Sequence, residues 1–261
     1  FTTPNVFAPV DFEPHDIHND GSEVDAEHLK HCYVCKQKYG TIHHFYDQMC
    51  PECAAFNFAK RTELADLRGR VALLTGGRVK IGYQAGLKLL RCGAHLIVTT
   101  RFPRNSASRY AQEPDFEEWK DRLEIFGLDL RHTPSVEAFC RELLARRSRL
   151  DFIINNACQT VRRPPEFYAH MMDGERAALR DAPEHVRKLL GSYEDLRSNN
   201  RLPGAGTAGS AVAALSGAAD AAGITRAAEL SQVALIAEDL LVQKEMFPAG
   251  RLDQDLQQVD L

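Results

Sequence analysis

The sequence predicts an α/β fold built on a parallel sheet, and three observations carry that prediction. Four short apolar runs recur after residue 70: Val71–Leu74, His95–Arg101, Leu123–Leu130 and Leu150–Asn156. Segments with helical patterning separate them, and near-continuous apolar strands alternating with helices describe a sheet covered on both faces. The first run feeds Thr75-Gly-Gly-Arg-Val-Lys-Ile-Gly82, a glycine-rich turn that opens a helix. A strand, a tight turn and a helix start in that order place backbone N–H groups and a partial positive charge where a diphosphate can sit.

Each element follows in turn. The helix after the turn covers Tyr83–Arg91 and ends near Gly93. The stretch from Ser106 to Arg122 is helical with a break at Pro114. Thr133 is expected to cap a helix over Ser135–Arg147, with Pro134 at its first position. Right-handed crossovers then give a Rossmann-type doubly wound parallel sheet, incomplete because no β-branched run follows Asn156.

Before this body come Cys32-Tyr-Val-Cys35 and Cys50-Pro-Glu-Cys53, separated by fourteen residues. Two such pairs can place four thiolates tetrahedrally around Zn²⁺, which is closed, structural coordination with no open position for substrate. Cys32, Cys35, Cys50 and Cys53 are therefore the expected metal ligands. His31, His43 and His44 lie close enough in sequence to keep a Cys₃His site open as an alternative. The other three of the seven cysteines are isolated. That usage favours metal ligation in a reducing compartment over a disulfide framework, so the cytoplasm is expected.

The expected organisation is an acidic, irregular lead-in (1–30), a zinc-binding module (31–60), and a dinucleotide-binding domain with a helical extension (61–200). An Ala/Gly-rich linker (201–223) and an amphipathic helical segment (224–261) follow. The lead-in holds seven acidic side chains against one lysine. In the last segment Leu230, Val233, Ala234, Ala237, Leu240 and Leu241 form the apolar face of a helix over Ala227–Phe247. With 261 residues, 44% hydrophobic and 26% charged, the composition is that of a globular protein. A net charge of −4 argues against a general nucleic-acid binder. No apolar run approaches the ~20 residues that span a bilayer, so no membrane partner is expected.

Three strand ends carry the binding chemistry. In an open parallel sheet the ligand lies beyond the carboxyl ends of the strands. Arg101 ends the second strand, where an acidic side chain would bind a ribose 2′-hydroxyl. An arginine there suits a 2′-phosphate, and so NADP over NAD. Asp129, beyond the third strand, is placed to accept a hydrogen bond from an adenine amino group, although a turn aspartate reads the same way.

Thr75-Gly-Gly-Arg-Val-Lys-Ile-Gly82, Asp129-Leu130 and Asn155-Asn-Ala157-Cys158 together resemble the Thr-Gly-x-x-x-Gly-x-Gly, Asp-Leu/Val and Asn-Asn-Ala-Gly signatures of short-chain dehydrogenases/reductases, over about Arg70–Cys158. The resemblance implies an NAD(P)-dependent oxidoreductase acting on a small-molecule substrate. It implies cofactor contacts at Thr75, Gly76, Arg78, Lys80, Ile81, Gly82, Arg101, Asp129, Leu130, Asn155, Asn156 and Ala157, with Asn155 supporting both the cofactor and the fourth strand. NADP(H) is the expected cofactor, NAD(H) its alternative. Related reductases are commonly dimers or tetramers, so self-association is an expectation too. Two positions depart from the family: Lys80 replaces the middle glycine and Cys158 the last one. Arg78, Lys80 and Arg101 then form a candidate basic rim around the phosphates.

The family's catalytic Ser and Tyr-x-x-x-Lys are not found. Tyr168 is followed four residues on by Met172, and Tyr193 by Arg197. No catalytic residue is assigned. The chain reads as the cofactor half of a reductase, or alternatively as a non-catalytic nucleotide-binding scaffold or sensor whose zinc module docks a protein partner.

Overall fold

The computed structural model describes residues 24–158, 163–177, 181–201, 222–234, 236–240, 246–253 and 257–259. Most of the acidic lead-in (1–23) and of the Ala/Gly-rich linker (202–221) lies outside the described residues. The chain divides into two units, Phe1–Ala65 and Asp66–Leu261.

In the first unit β1 (Val24–His31) pairs antiparallel with β2 (Lys38–Ile42), with an irregularity between Asp25 and Lys30. The end of the lead-in, expected to be irregular, is therefore a strand. It is fixed by its partner across the first cysteine pair rather than by its own composition. Helix α1 (Pro51–Thr62) follows, capped by Cys50 with Pro51 in its first turn. The Tyr39 hydroxyl donates to the Asp47 carbonyl at 2.6 Å, pinning the arm between the two cysteine pairs.

The second unit holds the parallel sheet. Its strands are β3 (Val71–Thr75), β4 (His95–Thr100), β5 (Leu123–Gly127) and β6 (Phe152–Ile154), in spatial order β5-β4-β3-β6. All three pairings are parallel, with Leu73 opposite both Ile97 and Ile153. The chain runs outward from β3 through β4 to β5 and then returns to the far side of β3. A right-handed chain so wound places α2 (Lys80–Arg91) and α3 (Pro103–Tyr110) on one face and α5 (Thr133–Arg146) on the other. The switch point falls between β3 and β6, directly beneath the glycine turn.

Leu74, Leu96, Val98, Ile125, Leu90, Trp119 and Tyr110 are fully buried in the main core. The short helix α4 (Phe116–Trp119) follows the break at Pro114 and brings Trp119 into that core. Helix α5 starts one residue earlier than the sequence suggests. His132 takes the cap position, its Nδ1 2.8 Å from Ser135 Oγ, and Thr133 becomes the first helical residue.

Beyond β6 come α6 (Pro165–Tyr168), α7 (Met172–Arg176), α8 (Glu184–Leu189), α9 (Gly191–Arg201) and α10 (Ala222–Thr225). Among the described residues of Ala227–Phe247 the expected amphipathic α-helix is not formed. Short 3₁₀ turns at Glu229–Gln232 and Ala237–Leu240 flank an extended Val233. The apolar residues of this stretch serve different surfaces. Ala228 and Phe247 join Phe102, Phe167, Tyr168, Met171 and Met172 in a second core, while Val233, on the expected apolar face, and Ile236 are exposed.

Two residues of the turn predict opposite effects on stability. Gly82 carries no side chain because a Cβ there would lie 2.3 Å from the Gly76 carbonyl oxygen and 2.4 Å from Asn156 Nδ2. Gly82→Ala is expected to cost about 1–3 kcal/mol in urea denaturation. Lys80 has φ +53°, a left-handed backbone that strains a side-chain-bearing residue by about 1–2 kcal/mol. Lys80→Gly removes that strain against about 0.5–1 kcal/mol of added chain entropy. Its denaturation midpoint should rise slightly where that of Gly82→Ala falls.

Candidate functional site

The end of β3 shapes the site. The Gly76 N–H donates to the Thr99 carbonyl at 2.8 Å, and Gly76 sits at φ +70°, turning the chain back over the sheet. Asn156 Nδ2 donates to the carbonyls of Thr75 and Gly76, both at 3.1 Å. Thr75 Oγ1 accepts the Ala157 N–H at 3.0 Å. These bonds lock the turn after β3 to the segment after β6. Helix α2 then begins at Lys80 behind an extended Val79, with no side-chain cap. Its first N–H groups therefore face outward without a protein side-chain acceptor.

They open on a cleft of about 580 Å³, a size within the range of small-molecule and cofactor sites. Of the sequence-predicted residues, Gly76, Arg78, Lys80, Ile81, Gly82, Arg101, Asp129, Leu130, Asn156 and Ala157 line it. Thr75 and Asn155 do not. Thr75 is buried and acts through its bond to Ala157. Asn155 points to solvent, and the bracing role expected of it belongs to Asn156, because adjacent residues at a strand end face opposite sides.

The charged groups differ in how free they are. Asp129 is 1% exposed, and both its oxygens are engaged by Arg131, with Nε–Oδ1 2.9 Å and Nη2–Oδ2 2.5 Å; the Arg131 N–H adds a 3.0 Å bond to Oδ1. Burial alone would raise its carboxyl pKa, but the Arg131 bonds outweigh burial and hold it below the ordinary value. Asp129 thus lines the cleft and orders the loop after β5 through Arg131. Arg101 is half-buried, its guanidinium 4.7 Å from the Tyr168 ring centroid and 5.6 Å from that of Phe102. Arg78 is buried, donates to Asn105 Oδ1 at 3.0 Å, and has its pKa pulled down to about 10 by burial. Lys80 and Ile81 are exposed at the mouth.

Sequence reasoning missed Arg131, Phe102, Gln257 and the place of Tyr168, all lining the cleft. Arg131, two residues after Asp129, was the legible one, since an Asx-type turn closes over that spacing. It also missed Glu175 on α7, which accepts the N–H groups of Asn105 (2.8 Å) and Arg104 (3.2 Å). Tyr193 lies elsewhere, buried with its hydroxyl donating to the Ile224 carbonyl at 2.9 Å.

In the first unit the four Sγ atoms of Cys32, Cys35, Cys50 and Cys53 lie within 4.8 Å of one another, and His31, His43 and His44 are outside that group. His43 Nδ1 instead accepts the N–H groups of Phe45 (3.1 Å) and Tyr46 (3.3 Å). The first pair bends through Lys36 at φ +63°, whose N–H donates to the Cys32 carbonyl at 3.0 Å. Burial opposes ionisation of Cys32, yet backbone N–H groups of Cys50, Cys35 and Val34 aimed at its sulfur draw its pKa to about 6. The Cys50 side chain, first among the causes, pushes that of Cys53 up to about 12.

A family model described as short chain dehydrogenase matches residues 70–173. An uncharacterized protein of Acanthamoeba polyphaga mimivirus is 39% identical over 138 residues, which is 51% of this chain and 30% of that protein. Dehydrogenase/reductase SDR family member 13 of Bos taurus is 35% identical over 105 residues, 39% of this chain and 28% of that protein. Among solved structures, the Pseudomonas aeruginosa RhlG/NADP complex aligns at 21% identity and a TM-score of 0.33, over 60% of this chain and 47% of that one. Residues 70–173, the stretch that holds the parallel sheet, are thus similar in sequence to the short-chain dehydrogenase/reductase family. The chain spans less than a third of the length of these two curated relatives. The family match stops at Asp173, two residues before Glu175. Among the described residues no helix is long and apolar enough to cross a membrane.

Glu175 makes stability depend on pH. Burial raises its carboxyl pKa from 4.5 to about 7, against the pull of two N–H donors and of Arg104 and Arg78. A carboxyl raised in the native state binds more protons there than in the unfolded chain. Stability should therefore fall as pH rises from about 5 to about 8, by roughly 3 kcal/mol in all. Urea denaturation of the parent across that range should show this slope, and Glu175→Gln should remove it.

Proposed function

We propose that this chain is the cofactor-binding part of an NAD(P)-dependent oxidoreductase acting on a small molecule, with NADP(H) the preferred dinucleotide. One observation carries the reading. The uncapped start of α2 and the glycine turn braced by Asn156 face a cleft at the sheet's switch point. Backbone N–H groups between Val79 and Gly82 would hold the diphosphate, and Leu130 would flank the adenine. Arg101, steadied over Tyr168 and Phe102, supports the 2′-phosphate. The bound nicotinamide supplies hydride transfer, while this chain's residues bind and orient the cofactor.

The cysteine cluster is read as a structural Zn²⁺ site. A tetrahedron with Zn–S bonds of about 2.3 Å needs sulfurs about 3.8 Å apart, and Cys35 Sγ and Cys50 Sγ are 3.7 Å apart. Four protein ligands leave the metal no catalytic opening. Two Cys-x-x-Cys pairs of this kind support a reducing compartment and so a cytoplasmic location.

A second reading, a nucleotide-binding scaffold or sensor whose zinc module docks a protein partner, is favoured by one observation. Tyr193, followed by Arg197 in place of lysine, is sealed against the Ile224 carbonyl. Neither Tyr168 nor Tyr193 has a lysine four residues on to serve a proton-donating tyrosine, and the scaffold reading requires none.

Titration with NADPH and NADH tests the cofactor reading. NADPH should bind more tightly, and Arg101→Ala should weaken NADPH about 10–100-fold while leaving NADH nearly unchanged. Saturation by neither dinucleotide in the parent would refute the oxidoreductase and sensor readings alike. One equivalent of zinc should accompany the purified protein. Chelation, or Cys50→Ser, should abolish amide protection in β1, β2 and α1. Retained protection without metal would remove the zinc assignment.

A further inference from the structure

Behind the glycine turn lies a buried polar line that the cofactor reading leaves unused. Glu175 is 8% exposed. Its oxygens accept the first-turn N–H groups of α3 at Asn105 and Arg104. Asn105 Oδ1 in turn accepts from Arg78 Nη1 at 3.0 Å, and the same nitrogen lies 3.2 Å from Met171 Sδ. The Arg78 guanidinium is 5.3 Å from the Phe102 ring centroid. Arg78 itself belongs to the turn and lines the cleft. One buried cation is thus common to the cleft wall and to the carboxylate behind it.

We propose that Glu175 is a proton-linked positioning residue: it holds Arg78 in place through Asn105, and binding of the dinucleotide draws a proton onto its carboxyl. The proposal rests on the dinucleotide reading above. Its physical basis is competition for one cation. The charged groups that act on Glu175 are Arg78 from the turn and Arg104 from α3, and Glu194 from α9 lies 3.9 Å from Arg104. Tyr193, also on α9, stays neutral because burial pushes its pKa far up. Among the described residues Arg78 and Arg104 support the ionised carboxylate by charge. A diphosphate brings about two negative charges to the wall that Arg78 forms. Added like charge disfavours the carboxylate, most strongly where water is excluded.

The direction follows from linkage. Binding favours protonated Glu175, so the protonated form binds more tightly, and affinity falls as pH rises through the carboxyl's titration range. That range lies near neutrality because burial holds the free protein's Glu175 at about 7. Each unit by which the ligand raises this pKa appears as up to about a tenfold change in affinity.

Calorimetry of the full chain with NADPH, at about pH 7 in two buffers of different ionisation enthalpy, counts the protons. The parent should take up a fraction of a proton and lose affinity between about pH 6 and pH 8. Glu175→Gln should still bind, with that uptake lost and the profile flattened. Protonation of the nucleotide's own 2′-phosphate is common to both proteins and cancels in the difference. Uptake that persists unchanged in Glu175→Gln, or proton release by the parent, would overturn the proposal while leaving the dinucleotide reading intact. If the parent does not bind NADPH, both fall together. Should Glu175→Gln fail to fold by circular dichroism, carboxyl ¹³C resonances of the parent decide. The Glu175 titration must move to higher pH on adding NADPH, and a fixed or lowered midpoint overturns the proposal.

Discussion

The clamp between the turn after β3 and the segment after β6 is what the rest of the second unit depends on. Asn156 reaches across the switch point with one amide nitrogen and holds two successive carbonyls, Thr75 and Gly76. Gly82 then packs so closely on Gly76 and Asn156 that no side chain fits. These contacts fix how far α2 stands above the sheet. They also fix the direction in which its unsatisfied N–H groups point. A cleft at this place is a result of the strand order, since the sheet parts only where the chain reverses between β3 and β6.

The sheet was legible because its signal is dense. Val71–Leu74 and Leu96–Val98 are apolar without interruption, and burial on both sides sustains such runs. The binding turn was legible for the same local reason: close backbone approach demands glycine, and Gly76 and Gly82 are where it is needed. What failed to show was set by partners distant in sequence. Neighbouring asparagines look alike until the strand end assigns Asn156 inward and Asn155 outward. Asp129 reads as an unpartnered carboxylate until Arg131 folds back onto it. The Ala227–Phe247 periodicity was real as composition, but among the described residues it gathers on no single buried face: Ala228 and Phe247 are buried while Val233 is exposed. Glu175 had no local signature at all, because its burial comes from α3 and the turn.

Charge is handled differently in the two halves of the cleft. On the β5 side the acid is paired directly with a neighbour two residues away, which gives a stiff, self-contained loop. On the α3 side, acid and base meet only through Asn105, and neither is saturated by the other. The first arrangement resists a ligand's field, whereas the second responds to it. The four-sulfur cluster of the first unit follows a third pattern, in which backbone N–H groups stabilise thiolate before any metal is considered.

Strand β6 has one hydrogen-bonded neighbour among the described residues, β3, and its Phe152 and Ile153 are both exposed. Such a border leaves a row of amide and carbonyl groups beside apolar side chains, without the charge or proline that usually blunts it. At three residues the strand offers little length for pairing, so what keeps it from seeding growth is its brevity, and a lysine at Ile153 would add charge to that protection.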